Sequence, residues 1–424
     1  MSLTAGKIAE VMFEQALDTY EDQFQLADKT MVYKPDGKTM QNSGNTIWRT
    51  VDQHAPVIEG WDMTGNEQGI IQETYAAYLG TPKNDFVQQR IDDMRDISFW
   101  EGRGRASGRA QANDLNKAVA NLISTTGSMY YRSNATSGFD FIAEGQALYN
   151  ERQGAMNKRC FVLNDRDTLK FSKDLAGRQT LQGKPDDVWA KGQLASNVAE
   201  FDVFTGSFLP NLAGGTASTT TSAAASFKPE AGSVDPTTNI VTNIDYRDAT
   251  IAVTSSAAFS VGDKITISNG ADAIQAIGKA DKTPTGQAMT FTVVGKPNGT
   301  SLKIWPKPIA ADDAALSLTE KAYANVDTTI TSGATVDQVN IDATAKTNLM
   351  FDTDSIEIVG GDIPAQLLAQ YDGMKVIPQT LKNGLTMYMV YDANMVNMNL
   401  RYRLFTWYGL TNKDPSRNGV AVSY

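Results

Sequence analysis

Histidine and cysteine, the side chains most often used for nucleophilic, acid–base and zinc chemistry, are almost absent from this chain of 424 residues, which has one of each. His54 lies in VDQHAPVIEGW, a pattern typical of an extended or loop segment, and we interpret it as a surface or interface histidine. Cys160, in KRCFVLN, is predicted to be a buried strand residue that packs as a small hydrophobic group. The sequence therefore gives little support to a Ser-His-Asp triad or an imidazole zinc site. It also lacks a Walker A loop and a dinucleotide-binding glycine motif, so we predict no cofactor.

Carboxylates are the remaining candidates for chemistry, and two clusters of aspartate stand out. The first could offer oxygen ligands to a hard cation but lacks the loop spacing and glycine of an EF-hand; it contains Asp352, Asp354 and Asp362. The second alternates with arginine, as is typical of salt bridges on a helix face; it contains Asp92, Asp93 and Asp96 beside Arg90 and Arg95. We predict no catalytic residue and no metal ligand in either cluster.

A helix predicted over residues 4–28, with Thr4 as its N-cap, positions the first group of charged residues. One face carries an apolar row at helical spacing, formed by Phe13, Leu17, Tyr20 and Phe24. A second row is acidic and contains Glu10, Glu14 and Asp18, followed by Glu21 or Asp22. Like charges four residues apart weaken an isolated helix. The acidic row is therefore either a solvated face or a docking surface for a basic partner.

Residues 49–85 alternate short extended pieces with turn residues, which predicts a long two-stranded loop that needs a neighbour to lie on. From Phe86 to about Thr126 the pattern is helical, and Gly127 is the expected C-cap. Within this helix the segment EGRGRASGR, Glu101 to Arg109, contains glycines that each cost a helix roughly 1 kcal/mol relative to alanine. We therefore expect this part of the helix to be frayed or bendable.

A change of composition in the middle of the chain indicates an inserted β module. Residues Asn211 to Ser226 read NLAGGTASTTTSAAAS and predict a flexible connection. Runs of β-branched residues separated by turns follow as far as Thr335, and Pro-Asn-Gly within Gly295–Ser301 predicts a hairpin. We predict that residues 215–335 form a small antiparallel barrel or sandwich that folds alone, inside an α+β host.

The charge balance and the apolar pattern exclude several kinds of partner. The formal net charge is −10, from 38 basic and 48 acidic residues, which argues against a dedicated nucleic-acid-binding surface because such a surface needs clustered positive charge. No apolar run approaches the ~20 residues needed to span a bilayer. The N-terminal segment carries acids where a signal peptide needs an apolar core. We expect a protein of a reducing compartment without membrane contact.

Several short motifs resemble, in the same order, segments of the coat proteins of short-tailed phages that infect enteric bacteria. They are NTIW (Asn45–Trp48), EGWD (Glu59–Asp62), NDF…R-x-DD-x-RD (Asn84–Asp96), SFKP (Ser226–Pro229), GDKI (Gly262–Ile265), PKP-x-A-x-DD-x-x-LS (Pro306–Ser317), AYANV (Ala322–Val326), GMK (Gly373–Lys375) and WYG (Trp407–Gly409). Their order over most of the chain is more specific than any single motif, although the N-terminal arm and residues 128–210 match less well.

The resemblance implies the tailed-phage major capsid fold, an α+β architecture with an inserted immunoglobulin-like or telokin-like β domain. The implied segments are an N-terminal arm (1–48), an extended loop (49–85), a peripheral domain with a spine helix (86–127), an axial and peripheral segment (128–214), the inserted domain (215–335) and a return to the axial and peripheral domains (336–424). The implied function is structural. Copies form hexamers and pentamers, assemble in the bacterial cytoplasm with a basic scaffolding protein and a portal into an icosahedral procapsid, and later enclose double-stranded DNA.

The resemblance also gives the acidic residues expected roles. The row Glu10, Glu14 and Asp18 is the expected contact for the scaffolding protein. Contacts between subunits are expected at Glu59, Asp62 and Glu67 of the loop and at Asp235 of the inserted domain. The only lysine of the loop, Lys83, lies at its base, so we expect no Lys–Asn isopeptide cross-link. Two other functions stay open: a β-domain binding module of a surface protein, and a hydrolase that uses two carboxylates about 5–9.5 Å apart.

Overall fold

The computed structural model describes residues 5–23, 26–42, 44–51, 57, 59–64, 73–90, 96–152, 158–171, 193–230, 233–234, 241–242, 245–363, 375–394 and 399–424. The chain divides into two compact units. The first unit contains Met1–Ile47, Ala77–Val119 and Glu357–Thr411, and the second contains Trp48–Ala76, Ala120–Ile356 and Asn412–Tyr424.

The helices of the described chain are α1 Ala5–Asp22, α2 Gly37–Asn42, α3 Ile97–Thr126, α4 Gly138–Glu151 and α5 Leu318–Lys321, with 3-10 turns at Leu26–Lys29 and Pro415–Arg417. Residues 165–171 are also helical. The strands before the β-rich middle are β1 Met31–Tyr33, β2 Thr46–Thr50, β3 Thr74–Tyr78, β4 Lys83–Arg90, β5 Met129–Ser133, β6 Arg159–Leu163, β7 Gln193–Val198, β8 Phe201–Thr205 and β9 Asn211–Leu212.

The β-rich middle contains β10 Ser218–Thr220, β11 Ser233–Val234, β12 Val241–Thr242, β13 Ala249–Ala252, β14 Lys264–Asn269, β15 Asp272–Ala273, β16 Gln275–Ile277, β17 Pro284–Ala288, β18 Thr290–Gly295, β19 Ser301–Trp305 and β20 Thr335–Gln338. The strands after it are β21 Ala345–Lys346, β22 Asn348–Asp352, β23 Ile356–Gly360, β24 Lys375–Thr380, β25 Thr386–Asn394, β26 Asn399–Thr406, β27 Tyr408–Asn412 and β28 Asn418–Ser423.

The N-terminal helix of the first unit is shorter than predicted. It ends at Asp22 and not near residue 28, and the 3-10 turn Leu26–Lys29 follows. Its buried face includes Phe13 and Tyr20, as the apolar row predicts, while Leu17 is only partly buried. Thr4 and Phe24 lie outside the described residues.

The predicted start of the spine helix is wrong. Residues Lys83–Arg90 form strand β4, which pairs antiparallel with β26 from Lys83↔Thr406 to Arg90↔Asn399. This pairing satisfies the backbone groups on the side that faces β26, and the alternating exposure of the segment fits a strand with one solvated face. The helix begins only at Ile97, where the carboxylate of Asp96 accepts the N–H and the hydroxyl of Ser98 as an N-cap.

The glycine-rich part of α3 belongs to a continuous helix, so the first of the two expectations, a frayed segment, is wrong. A Cβ atom at Gly104 would collide with the carbonyl oxygen of Met12, and one at Gly108 would collide with that of Ala16. These two glycines therefore let α1 and α3 approach backbone to backbone, which offsets their low helix propensity. Gly127 follows the last helical residue, as predicted, and its N–H donates to the carbonyl of Ile123.

Two sheets complete the first unit: an antiparallel sheet in the order β24-β25-β26-β4 and a sheet in the order β1-β23-β27. The WYG motif follows directly after β26 and contacts the connection between β3 and β4. Trp407 Nε1 donates to the carbonyl of Gly80 at 2.7 Å, and Tyr408 Oη donates to Asp114 at 2.9 Å. The carbonyl of Tyr78 lies so close to Gly409 that a Cβ atom at this position would collide with it. Each residue of the motif thus has its own packing role.

A mixed sheet in the order β5-β28-β22-β6-β8-β7 lies in the second unit, with α4 among the elements of its core. Aromatic side chains dominate that core; among them, Phe141 contacts Phe161 and Phe171 at ring-centroid distances of 5.9 and 5.2 Å. Cys160 lies buried in β6, so the strand predicted around it is confirmed. The terminal strand β28, which pairs with both β5 and β22, was not predicted.

The β-rich middle of the second unit closes into an antiparallel barrel. Seven described strands form one sheet, six of them in the order β10-β20-β14-β18-β19-β13, with β15 paired to β14. A bridge between Thr221 and Val253 joins the two ends of this order, so the barrel has no open edge there. The interior is apolar and includes Ile251, Ile265 and Phe291. The predicted hairpin is confirmed as the β18–β19 pair.

The low-complexity run does not form a free connection. Ser218–Thr220 is strand β10 of the barrel and pairs with β20, because a Ser/Thr-rich segment can supply a full set of backbone hydrogen bonds without apolar side chains. Strand β20 runs to Gln338, beyond the predicted boundary at Thr335. Strands β9 and β21, which flank the barrel in the sequence, pair with each other.

The loop predicted over residues 49–85 begins and ends in paired strands. Strands β2 and β3 form a two-stranded sheet, and the N–H of Val51 donates to the carbonyl of Glu73 at 2.9 Å. Between them the structure describes residues 57 and 59–64. The two-stranded base agrees with the prediction, although residues 83–85 belong to β4.

Candidate functional site

The acidic row of α1 is a solvent-facing surface of the first unit. Glu10, Glu14 and Asp18 are exposed, while Met12, Ala16 and other residues between them are buried. None of the three carboxylates forms a salt bridge with a described residue. Glu21, which continues the row, is bound to Lys382 at 2.6 Å. The row therefore keeps three exposed carboxylates at successive turns, a geometry that suits a basic partner.

The tip of the loop in the second unit combines charge with exposed apolar surface. Glu59 and Asp62 are exposed, and Asp62 Oδ1 accepts both the hydroxyl and the N–H of Thr64, hydrogen bonds that lower the pKa of this carboxylate. Between them Trp61 is fully exposed, and Val57 is 93% exposed. The prediction named the acids and missed the tryptophan, although the EGWD motif contains it. Glu67 lies outside the described residues.

The GDKI motif explains how the barrel and the end of α3 are joined within the second unit. Gly262 has a φ of +99°, a conformation that favours glycine, and the chain then enters β14 at Lys264. Lys264 is completely buried. Its Nζ donates to the carbonyls of Ser124 and Gly127 at 2.8 and 2.9 Å and to Thr292 Oγ1 at 2.8 Å. Burial lowers the pKa of Lys264 to about 7, and Asp263 partly offsets this.

Two threonines of β18 extend this joint. Thr292 Oγ1 donates to the carbonyl of Gly127 at 2.7 Å, and Thr290 Oγ1 donates to the carbonyl of Ser128 at 2.6 Å. Carbonyls at a helix C-terminus have no partners within the helix and carry partial negative charge. The barrel thus supplies the donors that cap α3 and the residues that follow it.

Three further motifs contact one another around the barrel. The side chain of Ser226 in SFKP donates to Asp313, and Lys307 Nζ donates to the carbonyl of Lys228 at 3.2 Å. Asn325 of AYANV donates to the carbonyl of Lys307 and accepts the N–H of Ile309, at 2.8 and 2.9 Å. Residues of these motifs therefore hold together segments that lie 16 to 87 residues apart in the sequence.

The aspartate clusters have structural roles. Asp352 is buried and accepts the N–H of Asp354, and burial raises the pKa of its carboxyl. Asp362 accepts the phenol of Tyr388 at 2.7 Å. Asp96 caps α3, one residue before the first helical position. Among the described residues, no group of His, Cys, Asp and Glu has the arrangement of a metal site.

Several residues for which the sequence predicts a role lie outside the described part of the chain. His54 and Asp235 lie outside the described residues, as do Asp92, Asp93 and Arg95. In the sequence, Asp235 lies between the paired strands β11 and β12.

Comparison with protein families identifies the group to which these features belong. A model of the P22 coat protein, gene protein 5, matches residues 1–423. The chain belongs to the P22 coat protein family. It is a bacteriophage major capsid protein that assembles with copies of itself into the capsid of the virion. The family is structural and not enzymatic, so the carboxylate hydrolase hypothesis is wrong, and the predicted resemblance and α+β capsid fold are confirmed.

The coat protein is also similar to solved phage structures. It matches a structure of Mycobacterium phage Che8 at 9% identity over 94% of this chain and 91% of that chain, with a TM-score of 0.43. It matches the capsid of cyanophage P-SCSP1u at 8% identity over 95% and 90%, with a TM-score of 0.44. The CUS-3 coat protein I-domain matches at 25% identity over 28% of this chain and 93% of that chain, with a TM-score of 0.20.

None of the helices in the described ranges has the length and apolar character needed to cross a membrane.

Proposed function

We propose that this coat protein assembles in the host cytoplasm with a basic scaffolding protein and a portal into an icosahedral procapsid of hexamers and pentamers. The shell then encloses double-stranded DNA without specific contacts. A net charge of −10 supports the last step, because an acidic wall does not bind the phosphate backbone tightly. The single observation that carries the scaffolding part is the exposed acidic row of α1, formed by Glu10, Glu14 and Asp18.

The row is held in one orientation because the opposite face of α1 is buried. Ile8, Met12 and Tyr20 are at most 1% exposed, so the helix cannot rotate its carboxylates away from solvent without exposing apolar surface. One exposed ion pair contributes only ~0.2–1 kcal/mol. Repeated over many copies in a shell, such weak contacts determine assembly through avidity.

Charge reversal of the whole row tests this proposal. The variant Glu10→Lys, Glu14→Lys, Asp18→Lys is expected to incorporate less scaffolding protein into procapsids, with a weaker dependence on salt. A matched control replaces three exposed acids of the second unit, Glu151, Asp272 and Asp342, with lysine and makes the same change in net charge. Scaffolding protein per particle is measured by gel densitometry across a salt series. Equal incorporation in the row variant and the wild type would show that the row is only a solvated face.

We also propose that the loop tip and the inserted domain contact neighbouring subunits. The loop contributes Glu59, Asp62 and Glu67, which meet Arg or Lys of the next subunit, and the inserted domain contributes Asp235. Exposed Trp61 supports the loop contact, because aromatic residues supply much of the binding energy in protein interfaces. A tip with both an aromatic anchor and surrounding charge fits such a contact better than charge alone.

We further propose that residues 215–335, together with β20 to its end at Gln338, form a domain inserted into the capsid fold. The closed hydrogen-bond ladder and the apolar interior of the barrel support this proposal. The pairing of β9 with β21 supports it as well, because the chain then leaves and re-enters the host at adjacent points.

A further inference from the structure

A basic cavity of about 150 Å³ lies within the second unit. It is formed by β16 and the turn after it, the segment that follows β19, and residues 413–416, with Glu73 and Arg152 also in its wall. Its volume is far above the ~10–15 Å³ that one water requires. Six basic side chains line it against two acidic ones, in a protein whose net charge is negative: Arg152, Arg247, Lys279, Lys282, Lys307 and Lys413 against Glu73 and Asp414.

Several of these charges are already neutralised. Lys279 Nζ lies 3.0 Å from Asp414 Oδ2, and although burial alone would raise the pKa of Asp414, Lys279 and Arg417 hold it well below the ordinary value. Arg247 binds Asp245 through Nε and Nη2 at 2.9 and 2.8 Å, and its Nη1 donates to two backbone carbonyls. These pairs belong to the wall of the cavity and balance the charges of Lys279 and Arg247.

Arg152 is different because its charge is buried and forms no salt bridge with a described residue, although the neighbouring Glu151 acts on it electrostatically. The residue is 8% exposed, and Nη2 donates to Thr290 Oγ1 at 3.2 Å. Its Nε and Nη1 have no hydrogen-bond partner in the part of the chain that the structure describes. Burial lowers the pKa of Arg152 to about 10, so the guanidinium still carries its charge at neutral pH. A buried charge without a partner is costly, which makes this a position where a bound anion would stabilise the fold.

Lys282 supplies a second cation in the same wall. Among the described residues, its Nζ donates to the carbonyl of Ala324, at 3.1 Å. Burial and the neighbouring Lys279 lower the pKa of Lys282 to about 8, so the ammonium is mostly charged at pH 7. Guanidinium and ammonium groups are the usual protein ligands of phosphate and sulfate oxygens.

We propose that this cavity binds a small inorganic oxoanion of the phosphate or sulfate class, held by Arg152 and Lys282. Glu73 sets how the site responds to pH. It is 8% exposed, and its Oε1 has no hydrogen-bond partner among the described residues. Burial raises its pKa to about 7 despite the opposing effect of Lys307 and Arg247, and Asp245 and Glu230 raise it slightly further. The protonated carboxyl can donate to an anion, and the ionised one repels it. Binding is therefore tighter at pH 6 than at pH 8, where Lys282 has also lost part of its charge.

Thermal melts of the full-length monomer with sodium sulfate test the site, because the charge of sulfate does not change between pH 6 and 8. Sodium chloride at equal ionic strength measures the general salt effect. At a sulfate concentration ten times Kd, the unfolding equilibrium constant of the wild type is expected to fall about elevenfold beyond that effect. Arg152→Met is expected to fold at least as stably without sulfate and to lose the saturable response. Arg132→Met, at an exposed arginine of β5, is the matched control and keeps the response.

The proposal is overturned if Arg152→Met keeps the saturable sulfate response, or if the wild type shows none at pH 6. If Arg152→Met does not fold, Lys282→Met decides, and an affinity reduced by less than threefold refutes the site. A short DNA duplex at equal phosphate concentration distinguishes a free ion from a backbone phosphate. A cavity of about 150 Å³ is too small for a duplex, so we expect no response to the duplex. A response to the duplex without one to sulfate would overturn the proposal.

Discussion

Replacement of Lys264 by methionine tests whether the barrel stabilises the end of α3 through one buried amine. Methionine keeps the length of the aliphatic stem and removes the donors. The carbonyl of Ser124 then loses the hydrogen bond from Lys264, whereas the carbonyl of Gly127 still accepts from Thr292 Oγ1 at 2.7 Å. The side chain of Thr292 also loses one donor.

The size of the effect follows from these losses when the amine is neutral. A buried carbonyl left without a partner costs about 1–3 kcal/mol, and loss of the hydrogen bond to the threonine hydroxyl costs about 1 kcal/mol more. At pH 9, above the lowered pKa of Lys264, we therefore expect Lys264→Met to reduce the free energy of unfolding by about 2–4 kcal/mol.

The effect is expected to shrink at lower pH. The pKa of Lys264 is about 7 in the folded chain and near its ordinary value of 10.5 when unfolded, so between these values the unfolded chain holds a proton that the folded chain lacks. Wild-type stability consequently rises with pH through this window, by up to 1.36 kcal/mol per pH unit, and Lys264→Met lacks the rise. From pH 9 to pH 6 the penalty of the variant should fall by about 2–3 kcal/mol, to about 1 kcal/mol or less.

Native-state amide exchange measures this locally, because a chain of this length need not unfold in one step. At pH 9 the amide of Gly127, which donates to Ile123, should lose roughly thirtyfold in protection for each 2 kcal/mol. Urea midpoints at pH 6 and pH 9 provide the global comparison. Lys346→Met, at an exposed lysine of β21, is the control and should change neither measurement. A penalty that is equal at the two pH values, or larger at pH 6, would refute the assignment of the buried amine.

Three further predictions concern other parts of the chain. Gly108→Ala should destabilise the monomer by about 1–3 kcal/mol in urea denaturation, because the new Cβ collides with the carbonyl of Ala16. Gly102→Ala, with open space around it, should stabilise α3 by up to about 1 kcal/mol. Equal effects of the two substitutions would contradict the close approach of α1 and α3. Trp61→Ala should leave the melting temperature unchanged and slow shell assembly, measured by light scattering. Leu169→Ala, at another exposed apolar residue, should assemble normally. Normal assembly of both variants would refute the proposed loop contact. A fragment of residues 211–346 should melt cooperatively and give dispersed amide signals, and a disordered fragment would refute the inserted domain.

The sequence predicts best where one physical constraint dominates. The strands β13, β14, β18 and β19 follow from β-branched runs, and the hairpin between β18 and β19 follows from Pro-Asn-Gly. The buried face of α1 follows from its apolar spacing, and the end of α3 follows from Gly127. In each case local propensity and burial favour the same structure.

The errors arise where a distant partner decides the structure. Lys83–Arg90 is polar enough for a solvated helix, but pairing with β26 makes it a strand. Ser218–Thr220 is indistinguishable from a flexible linker until β20 supplies its hydrogen bonds. Gly104 and Gly108 weaken a helix in isolation, and only their contact with the backbone of α1 explains their presence. Buried cations such as Lys264 and Arg152 have no local signature, because any lysine or arginine is expected at the surface.

Most motifs that carry the resemblance to phage coat proteins turn out to be joints within the chain. GDKI contains the buried Lys264, and SFKP and AYANV form hydrogen bonds with the segment around Lys307. WYG donates a hydrogen bond to the carbonyl of Gly80, between β3 and β4. The hydrogen bonds of these residues within the chain stabilise the fold, and this role explains their presence. EGWD is the exception, because Trp61 is fully exposed and has no packing partner in the described part of the subunit. A folding requirement cannot explain an exposed tryptophan at a loop tip, whereas a contact with a neighbouring subunit explains it directly.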